Sequence, residues 1–234
     1  MGRLAVITGG TKGIGRALCN RFAGAGFAIA TCSRKKEDLE RLRAELEAAH
    51  GVQVWCFVAN LAVAAEARRF SDEVAALPLP ADVLVNNAGF FMPGSVLDEP
   101  AGNLEAMMAA NVYSAYHTTR GIGAQMKARR QGHIFNMCSI ASIQAYPDGG
   151  SYAMAKFALL GFSKVLREEL KTHGVRVTAV LPGATRTASW DGVDLPDERF
   201  MKPEDVAQAV LDAHALSART VVEEILLRPQ LGDI

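Results

Sequence analysis

Seven short runs of apolar and β-branched residues, separated by stretches with helical periodicity, leave this 234-residue chain few ways to fold. RLAVIT (3–8), FAIATC (27–32), VQVWCFV (52–58), DVLVNN (82–87), HIFNMCS (133–139), VRVTAVL (175–181) and TVVEEILL (220–227) read as strands. Helical patterns cover 14–24, 36–49, 63–76, 103–129, 151–173 and 203–217. The first six strands read as buried on both faces, as in a parallel sheet covered by helices. Strand–helix alternation over the whole length predicts a doubly wound α/β domain. In such sheets ligands bind beyond the carboxyl ends of the strands, where strand order reverses. The residues that follow each run are therefore the candidates for function.

Half of the residues are hydrophobic, enough for one large core or two small ones. The irregular stretches around 92–103 and 183–202 are too short to separate domains, so a single domain over 1–234 is expected. Lys+Arg and Asp+Glu are equal at 25 each, and nothing draws the whole surface towards nucleic acid or anionic lipid. No run is long and apolar enough to cross a bilayer, and the first residues lack a signal-peptide pattern. Cys19, Cys32, Cys56 and Cys138 form no C-x-x-C pair. They read as reduced thiols of a cytoplasmic protein. No metal site is expected, because His117, His133 and His173 have no ligand spacing with acids or cysteines; structural roles suit them better.

The first strand ends in TGGTKGIG (8–15), where Gly9, Gly13 and Gly15 allow a tight turn and close backbone approach to a pyrophosphate at a helix N-terminus. Any tight strand–helix corner also uses glycine. The second strand ends in TCSRKK, so Ser33 and Arg34 stand where a carboxylate would hold the adenosine ribose hydroxyls of NAD. Lys12 adds a cation inside the glycine turn. Bases at a helix N-terminus carry an electrostatic cost that a 2′-phosphate would explain; a solvated basic patch is the simpler alternative, above all for Lys35 and Lys36. Asn60 follows the third strand, where it can contact adenine. Asn87, Ala88 and Gly89 follow the fourth, Ser139 the fifth, and PGATRT (182–187) the sixth. In SYAMAKFALLGF (151–162), Tyr152 and Lys156 stand four apart, on one face of a helix. Taken alone, that pair could be a partly exposed tyrosine beside a snorkelling lysine.

Together, TGGTKGIG, NNAG, a serine ahead of the Y-x-x-x-K pattern in YAMAK, and PGATRT resemble the short-chain dehydrogenase/reductase superfamily over the whole length of the chain. The resemblance implies a Rossmann-type, seven-stranded parallel sheet with helices on both faces. It implies a nicotinamide cofactor and hydride transfer between an alcohol and a carbonyl. Ser139 would then bond the substrate oxygen, Tyr152 would exchange the proton, and Lys156 would support both tyrosine and cofactor ribose. Asn111, in AANVYSAY, matches the family's asparagine that helps hold a water relay. The cofactor would lie along Gly9, Thr11, Lys12, Gly13, Ile14, Ser33, Arg34, Asn60, Leu61, Asn87, Ala88, Gly89, Pro182, Gly183, Thr185 and Thr187. Many relatives carry Asp where this chain has Asn60. The tail, SARTVVEEILLRPQLGDI with ASWDGVD, is similar to a bacterial branch labelled sepiapterin reductase or 3-oxoacyl carrier-protein reductase.

A free tyrosine titrates near 10, and the Lys156 ammonium is expected to lower that value towards the working pH. The leading expectation is an NADPH-dependent reductase of a small carbonyl compound, NADP(H) being preferred over NAD(H). An alcohol dehydrogenase working oxidatively would use the same residues, and a non-catalytic NADP-binding sensor is the reading from another class. Trp190 falls where the family has a substrate lid; it is either a loop anchor or a substrate contact. Met107 and Met108 are expected to pack a helix interface. Apolar stripes on the helices at 103–129 and 151–173 point to a homodimer or homotetramer.

Overall fold

The structure is a computed structural model that describes residues 2–190 and 192–234. Asp191, inside the irregular stretch expected at 183–202, lies outside the described residues. Strands β1 (Arg3–Thr8), β2 (Phe27–Ser33), β3 (Val54–Val58), β4 (Ala81–Asn86), β5 (Gly132–Met137), β6 (Val175–Pro182) and β7 (Glu224–Leu227) all pair in parallel, in the order β3-β2-β1-β4-β5-β6-β7. Helices α1 (Gly13–Gly24), α2 (Lys36–His50), α3 (Ala64–Ala75), α4 (Asn103–Met108), α5 (Ser114–Arg129), α6 (Gly150–Leu170) and α7 (Pro203–Ala215) connect or follow them.

Burial on both faces explains why the central strands do not alternate in polarity. Ala5 and Ile7 of β1 join a core with Leu18 and Phe22 of α1 and Val206 and Val210 of α7. Leu4 and Val6 of the same strand point the other way, into a second core with Phe70 of α3, Met126 of α5 and Leu166 of α6. Both sets are fully or nearly fully withdrawn from water, which is the main driving force for this layering.

Three elements differ from the sequence expectation. β3 is not buried on both faces: Trp55, Cys56 and Phe57 are only partly covered and Val58 is 47% exposed, because β3 is an edge strand. β7 starts at Glu224 rather than 220. The residues before it run beside β6, held by Thr178 Oγ1 donating to Val222 O (2.5 Å) and Ala179 N to Glu223 O (2.8 Å), without entering the ladder. The helix expected over 103–129 is interrupted by a π-helical turn at Ala109–Tyr113, which contains Asn111. Such turns often mark functional positions.

His133 of β5 is fully buried at the other end of the sheet. Its Nε2 pairs with Thr178 Oγ1 (2.8 Å), its ring stacks on Phe135, and His214 of α7 lies 5.6 Å away between centroids. Burial pushes His133 down to about 2 and His214 to about 4, with the Arg176 charge adding to both. The unfolded chain protonates these rings near the ordinary value of about 6.5. Their contribution to stability is therefore complete above that pH and is lost as pH falls towards the folded values. At pH 5, His133 alone should cost about 2 kcal/mol relative to pH 7. Urea unfolding at the two pH values checks this; an unchanged midpoint would contradict it.

Candidate active site

The chain winds outward from β1 in both directions, so the crevice lies where the carboxyl ends of β1 and β4 part. One hydroxyl ties that seam. Thr8 Oγ1, fully buried, accepts from the backbone N–H groups of Asn87 and Ala88 (2.9 Å each) and donates to Val85 O (3.3 Å). Asn87 returns the contact, its Nδ2 donating to Thr8 O (2.9 Å) and Gly9 O (3.2 Å). Thr8 was not singled out in the sequence, since a threonine ending a strand carries no special signal.

The turn after β1 is built as its glycines require. Gly9 and Gly13 have left-handed backbone angles, φ +68° and +51°. A Cβ on Gly15 would strike the Gly9 carbonyl and stand 2.5 Å from Asn87 Nδ2. Gly10, passed over in the sequence, is as tightly held: a Cβ there would collide with Thr31 Oγ1, which accepts from its N–H (3.1 Å). α1 then begins with no side-chain cap and no acidic residue in its first turn. Its first N–H groups are thus left to bind an anion.

Thr11 Oγ1 donates to Ser33 Oγ (3.4 Å), which brings the glycine turn beside the end of β2. Lys12 and Arg34 are exposed there, and among the described residues neither forms an ion pair. Lys36 does, with Glu40 (3.5 Å), as the solvated-patch reading expects. Asn60 is committed locally: its Oδ1 accepts from Ala62 N (3.3 Å) and its N–H donates to Glu66 Oε2 (2.8 Å). Its carbonyl oxygen is thus already engaged in a turn.

A cleft of about 450 Å³ opens beyond β4, β5 and β6. It brings together Asn87, Gly89, Asn111, Ser139, Tyr152 and Lys156 with Ile14, Pro182, Gly183, Thr185, Thr187 and Trp190. Lys12, Ser33, Arg34, Asn60 and Leu61 are not among its lining residues; they lie on the adjoining strand ends. Ser139 caps the short turn Ile140–Ser142, its Oγ accepting from Ala141 N (3.1 Å) while Ser142 Oγ accepts from its own N–H (3.2 Å). Asn111 donates to Phe90 O and Met107 O (3.1 Å each), and its buried Oδ1 has no partner among the described residues. Trp190 packs edge-on against Phe200 (5.3 Å), as a loop anchor would, and lines the cleft.

The electrostatics of the pair on α6 depart from the sequence expectation. Lys156 is buried, and its Nζ donates to Met137 O (2.7 Å) while standing 5.5 Å from the Tyr152 ring centre. Burial lowers the lysine to about 8, the neighbouring Cys138 opposing the shift. Tyr152 is not lowered. Burial pushes it up to about 12, the Ser139 hydroxyl partly opposing. Desolvation of the buried phenolate is the largest influence, with Cys138 adding to it. At neutral pH the site therefore presents a protonated phenol, a serine hydroxyl and an ammonium on one wall. That set can bind a carbonyl oxygen and hand it a proton.

The sequence also missed the cleft's outer end. Asp233 lines it, paired with Arg228 through Oδ2, while its buried Oδ1 has no partner among the described residues. Arg199 Nη2 donates to Asp233 O (3.1 Å) and Arg228 Nη2 to Gln144 Oε1 (3.1 Å). These residues come from three distant segments, so no local pattern announces them.

Residues 3–196 match the family model described as short chain dehydrogenase. The sepiapterin reductase of Chlorobaculum tepidum is 35% identical over 244 aligned residues, covering 100% of this chain and 99% of that protein. The 3-oxoacyl-[acyl-carrier-protein] reductase of Thermotoga maritima is 30% identical over 220, covering 90% and 89%. An alcohol dehydrogenase from the archaeon Thermococcus sibiricus, solved with 5-hydroxy-NADP, superposes with a TM-score of 0.92 at 28% identity, covering 98% of this chain and 97% of that one.

Thr8→Val keeps the shape of the seam but leaves two backbone N–H groups without their acceptor. The expected loss is about 2 kcal/mol or more of unfolding free energy. Denaturant unfolding of the variant reads this directly, and a loss under about 0.5 kcal/mol would show the hydroxyl is dispensable.

Proposed function

This chain belongs to the short-chain dehydrogenase family, and from that premise we propose that it is an NADP-dependent oxidoreductase that reduces a small carbonyl compound to an alcohol. The observation that carries the reading is the gathering of Tyr152, Ser139 and Lys156 in one cleft beyond the strand ends. Bound NADPH supplies the hydride. Ser139 bonds the carbonyl oxygen and stabilises its developing negative charge. Tyr152 protonates that oxygen, and the Lys156 ammonium stabilises the phenolate left behind. Asn111, with a buried oxygen lacking a partner among the described residues, suits the water relay that would reprotonate this system.

A tyrosine protonated at neutral pH can serve as the acid that reduction needs. Oxidation would need the phenolate, so that direction should strengthen as pH rises. The complete set of Asn111, Ser139, Tyr152 and Lys156 argues against a non-catalytic sensor.

The residues present fit the cofactor. The uncapped N-terminus of α1 suits a pyrophosphate, and the close approach of Gly15 to Gly9 leaves the turn's backbone accessible. Ser33 carries no charge to repel a 2′-phosphate, while Arg34 and Lys12 can bond its oxygens. The T. sibiricus neighbour, solved with 5-hydroxy-NADP, supports this choice. Phe91, Tyr146 and Trp190 line the cleft with flat apolar surface, and Asp233 adds a polar residue to the lining. A flat carbonyl substrate with a distal N–H or O–H donor fits these walls, which agrees with the similarity to a sepiapterin reductase.

Oligomerisation is part of the proposal. Phe157 and Val165 of α6 are 46% and 58% exposed, and Tyr113, Tyr116 and Met154 are exposed on or beside α5 and α6. A second copy of the chain would cover this apolar face, giving a dimer or tetramer. Light scattering at micromolar concentration should give twice or four times the chain mass; a monomer mass would refute it.

Kinetics test the chemistry. On a panel of diketones and flat carbonyl compounds, wild type should consume NADPH with a kcat/KM at least about tenfold above that for NADH, after allowance for solvent screening of the exposed cations. Ser33→Asp with Arg34→Ala should reverse the preference. Tyr152→Phe should bind NADPH normally and keep less than about a tenth of wild-type turnover, a barrier rise above ~1.4 kcal/mol. Retained turnover would remove Tyr152 from its role as proton donor.

A further inference from the structure

Glu99 sits outside the cleft lining and belongs to none of the motifs, yet it joins two segments that both contribute to that lining. Its carboxylate accepts from Ser151 Oγ and from Ser151 N (3.4 Å), in the first turn of α6. Ser151 is fully buried, and the next residue is Tyr152. Upstream of Glu99 runs the loop whose Phe90, Phe91 and Pro93 line the cleft. Phe91 packs edge-on against the Tyr152 ring, 4.9 Å between centres.

The contact is built for close approach. Gly94 N donates to Asp148 O (2.9 Å). A Cβ on Gly150 would collide with Gly94 O and stand 3.1 Å from Glu99 Oε2, and Gly150 has φ +36°. Asp148 also takes a left-handed angle, φ +58°, which costs a non-glycine residue energy and persists only when its surroundings hold it. Glu99 N donates to Ser95 O (2.8 Å), so the loop is folded on itself before it meets the helix. A carboxylate at the start of a 21-residue helix also meets the positive end of its dipole.

The geometry points to Glu99 as a positioning residue: by clasping Ser151 it locks the aromatic loop that walls the substrate cleft onto the helix turn that carries Tyr152. The inference rests on the reading of Tyr152 as proton donor. Releasing the clasp frees Phe91 from the Tyr152 ring and lets the phenol drift from the carbonyl oxygen. A displacement near 1 Å is costly to a proton transfer that depends on alignment.

The test combines hydrogen exchange with kinetics on the full chain. In Glu99→Ala and in Ser151→Ala, the amides of 90–102 and of 146–156 should exchange faster together, while those of β1 and β4 stay unchanged. Both variants should lower kcat by roughly 10- to 100-fold while KM and NADPH affinity change little. The double variant should be no worse than either single one, because both remove one contact. Glu99→Gln should recover most of kcat, since its carbonyl oxygen still accepts from Ser151; it also serves if Glu99→Ala does not fold. Faster exchange in only one of the two segments, wild-type kcat in both single variants, or multiplying effects in the double variant would overturn the clasp. If wild type reduces no carbonyl in the panel, the functional reading fails, and the exchange result alone judges whether the two segments are joined through Glu99.

Discussion

Every functional group in this chain depends on the seam between β1 and β4. Parallel pairing sends all seven carboxyl ends to one edge of the sheet, and the chain winds away from that seam on both sides. A gap at the switch point would leave strand-end N–H groups without partners in a buried place. Thr8 fills that need with a single hydroxyl that accepts two N–H groups from the turn after β4, and Asn87 answers by holding two carbonyls of the turn after β1. The glycine turn and the NNAG turn are therefore one structure, and a ligand laid across them meets a surface already braced.

Beneath the site runs a second polar device. Asn86 and Asn136 face each other across β4 and β5, Nδ2 to Oδ1 at 2.8 Å, and Asn136 continues to Ser163 of α6 (2.9 Å). Buried amides are costly unless bonded, so this chain tolerates few arrangements of α6 on the sheet. Lys156 adds to the constraint by donating to Met137 O at the end of β5. The helix that bears the reactive phenol is thus fixed to the sheet by side-chain bonds along its length and to the cleft loop through Glu99.

Burial sets the chemistry of the pair on α6. The same desolvation lowers Lys156 and raises Tyr152, because it disfavours charge on both. Spacing alone suggested an ammonium lowering a phenol. The folded chain turns that ammonium to a carbonyl and leaves the phenol protonated, which suits a group that gives a proton to a substrate oxygen.

Local chemistry made much of this legible from the sequence. Apolar strand runs, a tight glycine turn and a Tyr–Lys pair one helical turn apart are properties of neighbouring residues, and each survives in the structure, β3 alone among the first six strands lacking the expected burial. They were enough to define the parallel sheet, its functional edge and most of the cleft wall. Where the expectations failed, the missing information was non-local. β3 is half exposed because strand order puts it at an edge, and no run of five residues encodes its place in a sheet. Thr8, Glu99, Ser151 and Asp233 are ordinary residues in sequence, made important by distant partners: 52 positions away for Glu99 with Ser151, 79 for Thr8 with Asn87 and 34 for Asp233 with Arg199. Helical spacing brought Tyr152 and Lys156 together; only tertiary packing decided how much water they lose, and that loss pushes the phenol up and the ammonium down.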